Sequence, residues 1–256
     1  MTDTFVAVDG RPLEVRKIKG AGGISTLVFL HEGLGCVQMW RDFPDRLCLQ
    51  TGSPGLVYSR FGYGASSPAP LPWPLDFHTR EAVDVLPRVL DAAGIDDCVL
   101  VGHSDGASIG LIYAGLVRDP RVRAVVALAP HVLNEPRCRQ QIEAAVDAFE
   151  RGDLGTRLAR YHGDNLECAF RGWSGSWLAQ GFESWDIRPC LEAICVPVMA
   201  IRGADDPYNT AVHIDSIRAL SGIPAEVYEL ANCAHAPQFE QGERVLELAT
   251  EFILRS

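Results

Sequence analysis

Short runs of apolar, β-prone residues recur along the chain, and segments with helical periodicity separate them. Most of these runs are continuously apolar, which is typical of strands in a parallel sheet that helices cover on both faces. Two segments near the start, separated by Asp9-Gly10, predict a β-hairpin. We therefore expect an α/β fold with a mostly parallel sheet. The predicted strands are residues 4–8, 13–17, 26–30, 55–58, 98–101, 122–128, 196–201 and 225–230.

Helical patterns fill most of the intervals between the strands. An apolar stripe over residues 82–90 predicts a helix, although Pro87 argues against an unbroken one. Pro237 is expected to open a final helix that continues to the end of the chain. Residues 131–190 hold several helical stretches and no convincing strand. We expect a core domain of residues 1–130 and 191–256, with residues 131–190 as a helical cap insertion.

Composition and charge exclude several classes of function. The 256 residues carry 23 Lys and Arg against 33 Asp and Glu, a formal charge of −10, so a basic nucleic-acid surface is not expected. No apolar run approaches the ~20 residues needed to span a bilayer. The start, Met1-Thr2-Asp3-Thr4, lacks the pattern of a secretory signal, and the eight cysteines form no Cys-x-x-Cys pair. We expect a cytoplasmic protein with reduced thiols and a small-molecule substrate; the oligomeric state is left open.

The sharpest feature is the segment Gly102-His103-Ser104-Asp105-Gly106, between a predicted strand and a helical stretch. A Gly-x-Ser-x-Gly segment in this context predicts a tight turn that holds a nucleophilic serine above the sheet. The alternative interpretation is a simple glycine turn with a capping serine. The histidines show no spacing typical of metal ligands, and the glycines form no nucleotide-binding pattern. We therefore expect no metal and no cofactor.

A serine nucleophile needs a general base and a carboxylate that orients the base. His235 is the best candidate base, because its loop joins the last strand to the last helix and should open at the same sheet edge as Ser104. The predicted strand over residues 196–201 ends in Arg202-Gly203-Ala204-Asp205-Asp206-Pro207. Either Asp205 or Asp206 could supply the carboxylate.

Acyl transfer also needs N–H donors where negative charge develops on the substrate. The backbone N–H of Asp105 is one candidate, and Gly33, in the segment His31-Glu32-Gly33-Leu34-Gly35, is the other. Glu32 and Asp105 place two carboxyl groups near this region, and ionised carboxylates there would oppose an oxyanion. We expect their side chains to point away, or one of them to meet a cation.

Taken together, these segments resemble the α/β-hydrolase-fold superfamily, of the serine hydrolase or esterase type with a helical cap, over essentially the whole chain. The resemblance implies Ser104 as nucleophile and His235 as base. It implies Asp206 as the acid, because the family's acid commonly falls three residues after a glycine at this strand end. The family's usual His-Gly is replaced here by His31-Glu32-Gly33. The matching segments, in the family's order, are residues 30–35, 59–66, 102–106, 203–206 and 233–235.

Three further residues are candidates for substrate binding. Trp173 and Trp177 lie four residues apart and should share one helical face, where they could pack the insertion on the core, line an apolar pocket, or both. His131 stands at the entrance to the insertion and is either structural or a pocket residue.

The expected function is hydrolysis of a small or medium, largely uncharged carboxylic ester through an acyl-enzyme, with a thioester or lactone next. One alternative is C–C bond hydrolysis of a ring-cleavage product, for which Arg60, Arg171 or Arg202 would have to meet an acidic substrate. Another is an amino-acid ester, whose amine Asp105 or Glu32 could hold. A non-catalytic binding protein on the same fold is the alternative of a different class.

Overall fold

Eight strands form one sheet in the computed structural model, which describes residues 4–22 and 25–256. Residues 1–3, on which part of the argument about a secretory signal depends, lie outside the described residues. The strands are β1 (Thr4–Val8), β2 (Arg11–Ile18), β3 (Thr26–Leu30), β4 (Gly55–Tyr58), β5 (Cys98–His103), β6 (Val122–Leu128), β7 (Val198–Gly203) and β8 (Glu226–Leu230).

The sheet has the order β1-β2-β4-β3-β5-β6-β7-β8. β1 and β2 form the expected antiparallel hairpin, β2 pairs antiparallel with β4, and all later pairs are parallel, so the predicted α/β fold is confirmed. The chain first winds outward from β3 to β4 and then reverses to β5 on the other side. Such a reversal opens a crevice at the carboxyl ends of the strands, where the segments after β3 and β5 meet.

One strand boundary differs from its prediction for a clear reason. β7 was expected over residues 196–201 but spans Val198–Gly203. Pro197 has no N–H to donate to a ladder, which disfavours it inside a central strand. Its carbonyl oxygen instead accepts a hydrogen bond from the N–H of Val125 at 3.0 Å, just before the strand starts.

Helices cover both faces of the sheet, and five stretches among the described residues are tighter or wider than an α-helix. The α-helices are α1 (Phe43–Thr51), α2 (Phe77–Arg80), α3 (Leu86–Ala93), α4 (Asp105–Ile112), α5 (Pro136–Arg151), α6 (Leu154–His162), α7 (Leu166–Leu178), α8 (Arg188–Leu191), α9 (Val212–Leu220), α10 (Pro237–Glu240) and α11 (Gly242–Arg255).

The structure supports one helical prediction in detail and contradicts another. The stripe over residues 82–90 is helical throughout, because a π-helical turn over Glu81–Val85 precedes α3 and leaves Pro87 in the first turn of α3, where a missing N–H is tolerated. The expectation of one final helix from Pro237 is wrong. Gln241, with φ −132° and ψ 47°, leaves the helical region and separates α10 from α11.

The apolar core lies on both faces of the sheet. In β3, Leu27 and Phe29 pack towards α1 and α11, whereas Val28 and Leu30 pack in the cluster that includes α3 and α4. Both sets of side chains are buried, which explains why the strand is continuously apolar. Among the described residues, no helix is both long and apolar enough to cross a bilayer.

The chain between β6 and β7 is helical and leaves and returns to the sheet at neighbouring points. Leu133 and Asp186 form an isolated antiparallel bridge, and the N–H of Ile187 donates to the carbonyl oxygen of Val132 at 2.8 Å. Helices α5, α6 and α7 pack around their own apolar cluster. Its buried members are Cys138, Ile142, Leu158, Phe170, Trp173, Trp177 and Phe182.

Candidate active site

Ser104 lies in a strained turn directly between β5 and α4. Its φ of 52° and ψ of −116° are unusual for a residue with a side chain, and such strain is common at functional sites. A β-carbon at Gly106 would collide with the carbonyl oxygen of Leu30, and one at Gly102 would collide with the backbone of Gly106. The two glycines therefore allow the backbone to turn this tightly. The N–H of Ser104 donates to the carbonyl oxygen of Leu128 at 2.9 Å, which ties the turn to β6.

His235 and Asp206 extend from Ser104 as a line of hydrogen bonds. Nε2 of His235 lies 3.0 Å from Oγ of Ser104, and Nδ1 of His235 lies 2.7 Å from Oδ2 of Asp206. Oδ1 of Asp206 accepts a hydrogen bond from the N–H of Tyr208 at 2.8 Å. Asp205 is exposed to solvent, and its N–H donates to the carbonyl oxygen of Cys233. The structure thus brings Asp206, and not Asp205, to the imidazole.

The electrostatics of Asp206 determine which ring nitrogen carries the proton. Burial alone would raise the pKa of Asp206, but the hydrogen bond and charge interaction with His235, with the N–H of Tyr208, outweigh it and hold the pKa below its ordinary value. The carboxylate is therefore ionised at neutral pH and accepts from Nδ1–H of His235. This assignment leaves Nε2 as the acceptor that faces the hydroxyl of Ser104.

Two contacts around His235 were not anticipated from the sequence. Nε2 of His103 donates to the backbone carbonyl oxygen of His235 at 2.8 Å, which links the serine turn to the histidine loop. The ring of Tyr208 lies over the imidazole of His235, with 4.6 Å between the centroids. A β-carbon at Gly203 would collide with the backbone carbonyls of Cys233 and Ala234, so the glycine at the end of β7 allows this loop to approach.

The two candidate N–H donors border the same cavity as Ser104. Asp105 is the first residue of α4, and an N–H in the first turn of a helix has no acceptor within the helix. Gly33 lies beside the indole of Trp173, whose Nε1 occupies the space that a β-carbon at residue 33 would need. The guanidinium of Arg60 donates to the carbonyl oxygens of His31 at 3.0 Å and Glu32 at 3.1 Å, which holds this loop in place.

A cavity of about 100 Å³ opens above Ser104. It is smaller than the ~150 Å³ cavity that admits benzene in an engineered protein core. The sequence did not identify Cys138, Ile142 or Tyr208 as wall residues. The available signal was the spacing of Cys138 and Ile142, which places both on one face of α5. The wall consists of Glu32, Gly33, Leu34, Ser104, Asp105, His131, Cys138, Ile142, Trp173, Trp177, Tyr208 and His235.

Glu32 and Asp105, whose side chains were expected either to point away or to meet a cation, both contribute to the cavity wall. Each of them meets a histidine: Oδ1 of Asp105 lies 3.1 Å from Nε2 of His78, and Oε2 of Glu32 lies 3.5 Å from Nδ1 of His103. Burial opposes ionisation of Asp105, but His78 and Arg60 outweigh it, so the pKa of Asp105 is lowered. Burial likewise opposes a charge on His103, but Glu32 raises its pKa.

The arginines considered for an acidic substrate lie elsewhere. Arg60 is committed to the loop carbonyls described above, and Arg171 is at the surface with Glu150 and Glu167. Arg202 donates to Asn209 and pairs with Glu229. None of the three contributes to the wall of the cavity above Ser104.

The three candidate substrate-binding residues all border the cavity. Trp173 and Trp177 belong both to the cavity wall and to the apolar cluster of α5–α7. His131 is buried, and its ring centroid lies 5.7 Å from that of His235 and 5.3 Å from that of Trp177. Burial, together with His213 and His235, keeps the pKa of His131 well below its ordinary value.

The family model described as the alpha/beta hydrolase family matches residues 27–248 of this chain. The match covers most of the sequence, including the serine turn, the acid and the histidine loop. The chain therefore belongs to the alpha/beta hydrolase family. Membership of this family supports hydrolytic chemistry at the site.

A curated relative agrees with this assignment over part of the chain. The sequence is 32% identical over 139 residues to "Epoxide hydrolase 2" of Siraitia grosvenorii. The match covers 51% of this chain and 39% of that relative, so the chain spans well under two thirds of the relative's length.

Solved structures share the fold over almost the whole chain. An esterase from Exiguobacterium antarcticum has a TM-score of 0.79 at 18% identity, with 100% of both chains covered. An enol-lactonase from Burkholderia xenovorans has a TM-score of 0.75 at 20% identity, covering 98% of this chain and 99% of its own. A proline iminopeptidase from Mycobacterium smegmatis has a TM-score of 0.78 at 16% identity, covering 99% and 98%. At these identities the likeness establishes the fold.

Proposed function

We propose that this protein is a serine hydrolase that cleaves a small carboxylic ester through an acyl-enzyme intermediate. The observation that carries the proposal is the line of contacts from Ser104 to His235 at 3.0 Å and from His235 to Asp206 at 2.7 Å. A hydroxyl, an imidazole and an ionised carboxylate in this order form the proton-handling unit of acyl transfer. Ser104 also borders a cavity in which a substrate can reach the hydroxyl.

In the proposed reaction, Oγ of Ser104 attacks the ester carbonyl while Nε2 of His235 takes the hydroxyl proton. Asp206 stabilises the imidazolium that forms. The backbone N–H groups of Gly33 and Asp105 hold the tetrahedral oxyanion. The intermediate expels the alcohol, which takes the proton from His235. Water, activated by His235, then attacks the acyl-enzyme and releases the acid and Ser104.

The chemistry of the nucleophile favours an ester over an epoxide. Attack by a serine hydroxyl on an epoxide would leave an ether bond to the enzyme, and an ether resists hydrolysis. Attack on an acyl carbonyl leaves an ester, which the same base and water can cleave. Thioesters and lactones present the same carbonyl and are the next substrates to consider.

The charges around the cavity favour an ester over an acidic ring-cleavage product. A carboxylate substrate needs a cationic partner when it leaves water. Among the described residues, the cavity wall contains Glu32 and Asp105 and no lysine or arginine. We therefore rank C–C bond hydrolysis of an acidic compound below ester hydrolysis.

We further propose that residues 131–190 act as the cap that limits substrate size. The helical chain between β6 and β7 supplies Cys138, Ile142, Trp173 and Trp177 to the cavity wall. With a cavity of about 100 Å³, the acyl part of the substrate is small.

Covalent labelling tests the nucleophile without knowledge of the substrate. We expect a fluorophosphonate to modify the protein at one site, and peptide mapping to place the adduct on Ser104, because its hydroxyl is activated by His235. Heat-denatured protein, which lacks the contact between Ser104 and His235, is the control and should not be labelled. Absence of an adduct on the folded protein would favour a binding protein on this fold.

Trp173 is expected to assist the reaction through its indole N–H. Nε1 lies beside Gly33, on the side of the cavity where the oxyanion is expected. We expect Trp173→Phe, which keeps an aromatic ring but removes this donor, to lower kcat by about tenfold, a typical cost of losing a hydrogen bond. Steady-state kinetics on a short p-nitrophenyl ester measures the effect.

Trp177 provides a matched control for this substitution. It lies one helical turn later on α7 and also borders the cavity, but its Nε1 is buried and has no hydrogen-bond partner among the described residues. Trp177→Phe should therefore change kcat much less. Equal losses in the two variants would show that only ring packing matters.

A further inference from the structure

Asp105 and His131 both border the cavity, and each has a buried polar atom without a partner in the described part of the chain. Their exposed fractions are 1% and 2%, and both side chains belong to residues of the cavity wall. Oδ2 of Asp105 and Nδ1 of His131 have no hydrogen-bond partner among the described residues. Buried polar atoms without partners are costly, and with Nε1 of Trp177 three of them belong to residues of this wall, as far as the structure describes the chain, which indicates that a polar group of the substrate binds there.

The charge and aromatic content of the wall indicate the sign of that group. Glu32 and Asp105 are carboxylates, and no lysine or arginine is found in the wall within the part of the chain that the structure describes. Three aromatic side chains, Trp173, Trp177 and Tyr208, border the same space. Carboxylates and aromatic ring faces both attract cations, whereas they repel anions.

Neighbouring groups partly offset the charge of the two carboxylates, because, against the effect of burial, His78 and Arg60 lower the pKa of Asp105 and Glu32 raises the pKa of His103. His78 contacts Oδ1 of Asp105 and leaves Oδ2 without a partner. His103 contacts the other carboxylate, that of Glu32. The lowered pKa of His131, which follows from burial and from His213 and His235, keeps its ring neutral, and in the tautomer with the proton on Nε2 its Nδ1 accepts a hydrogen bond.

We propose that Asp105 and His131 form a subsite for a protonated amine on the acyl part of the substrate, so that the substrate class is a small α-amino acyl ester. The inference rests on the proposed function and narrows it. An ammonium group has several N–H donors and can donate to Oδ2 of Asp105 and to Nδ1 of His131 together. The acyl carbonyl is then held near Ser104, the residue before Asp105 in the chain. Of the alternatives raised by the sequence, the proposal selects the amino-acid ester, with Asp105 as the residue that holds the amine.

Three esters of the same shape test the subsite with the unmodified enzyme. The ethyl esters of alanine, lactic acid and isobutyric acid differ only in having an ammonium, a hydroxyl or a methyl group on the α-carbon. The assay is run about one pH unit below the α-amino pKa of ~7.7, so that the amine is protonated. Each kcat/KM is divided by the rate of uncatalysed hydrolysis, because the three esters differ in intrinsic reactivity.

We expect the alanine ester to exceed the isobutyrate ester by at least about tenfold in this ratio, because hydrogen bonds to charged groups are strong. A ratio for the isobutyrate ester that equals or exceeds that of the alanine ester would overturn the proposal. A clear preference for the lactate ester would also overturn it, since a hydroxyl would then be the group recognised.

Asp105→Asn tests which carboxylate is responsible, because it keeps the shape and the backbone N–H but removes the charge. The expected result is that the preference for alanine over isobutyrate falls about tenfold or more in Asp105→Asn. Asp205→Asn removes an equal charge at an exposed position and should leave the preference unchanged. Equal preferences in Asp105→Asn and the unmodified enzyme would remove Asp105 from the subsite.

Failure of the subsite and failure of the proposed function give different results. Fluorophosphonate labelling of Ser104 together with hydrolysis of all three esters at similar ratios would reject the amine subsite and keep the serine hydrolase. Labelling without hydrolysis of any of the three would also reject the subsite. Loss of both labelling and turnover would reject the proposed function itself.

Discussion

Replacing Ser104 with alanine is expected to lower kcat/KM for a short p-nitrophenyl ester by about 10⁴- to 10⁶-fold. The variant keeps the cavity and the N–H donors of Gly33 and Asp105, but it has no oxygen with which to form the acyl-enzyme. Some rate above that in water should remain, because binding and oxyanion stabilisation persist. The measurement is steady-state kinetics on highly purified enzyme, since traces of unmodified protein would dominate the rate.

If Ser104 and His235 act as one unit, a second result is expected from the variant that lacks both side chains. Adding His235→Ala to Ser104→Ala should cause almost no further loss, because the base has no hydroxyl left to activate. Ser184→Ala, an alanine substitution at an exposed serine far along the chain, is the control and should keep full activity. Losses that multiply in the double variant would mean that His235 acts independently of Ser104. Retention of more than about a tenth of the activity in Ser104→Ala would reject the nucleophile.

Much of this arrangement was predictable because the fold fixes which segments meet. Strands of a parallel sheet end at one edge, so a serine after β5 and a histidine after β8 had to lie on the same side. The glycines at 102 and 106 were informative, since any β-carbon there would collide with backbone. Local sequence and strand order therefore sufficed to place Ser104 near His235.

The substrate side of the cavity was not predictable to the same degree. Its wall depends on how α5 and α7 pack over the sheet, and packing between helices is not visible in periodicity alone. The pairing of Asp105 with His78 joins residues on α4 and α2, and no sequence spacing relates them. The break at Gln241 also escaped prediction, although Gly242, the next residue, is of a type that often marks the end of a helix.

The choice between Asp205 and Asp206 was open from the residues and depended on family spacing. The two are adjacent, so no argument from strand order can separate them. Adjacent side chains point in different directions, however, and the structure gives Asp206 a 2% exposed fraction and the contact to His235. Replacing each acid with its amide tests, through kcat, whether the buried Asp206 or the exposed Asp205 acts on His235.

Asp206→Asn is expected to lower kcat by about 10³- to 10⁴-fold. The amide keeps the size of the side chain, but it cannot stabilise the imidazolium. If its NH₂ group faces Nδ1 of His235, it also favours the tautomer with the proton on Nε2, which then cannot accept from Ser104. Because the carboxylate acts on the base, raising the pH should restore part of the activity as hydroxide takes over proton removal.

Asp205→Asn is the matched control, because it makes the same chemical change at the neighbouring residue, whose side chain is exposed. We expect its kcat to stay within about twofold of the unmodified enzyme. Fluorophosphonate labelling rates should follow the same order, slow in Asp206→Asn and normal in Asp205→Asn, because labelling depends on the same activation of Ser104. Similar kcat values for the two variants would remove Asp206 from the proposed triad. A large loss in Asp205→Asn alone would transfer the role to the exposed acid and require the loop after β7 to rearrange when substrate binds.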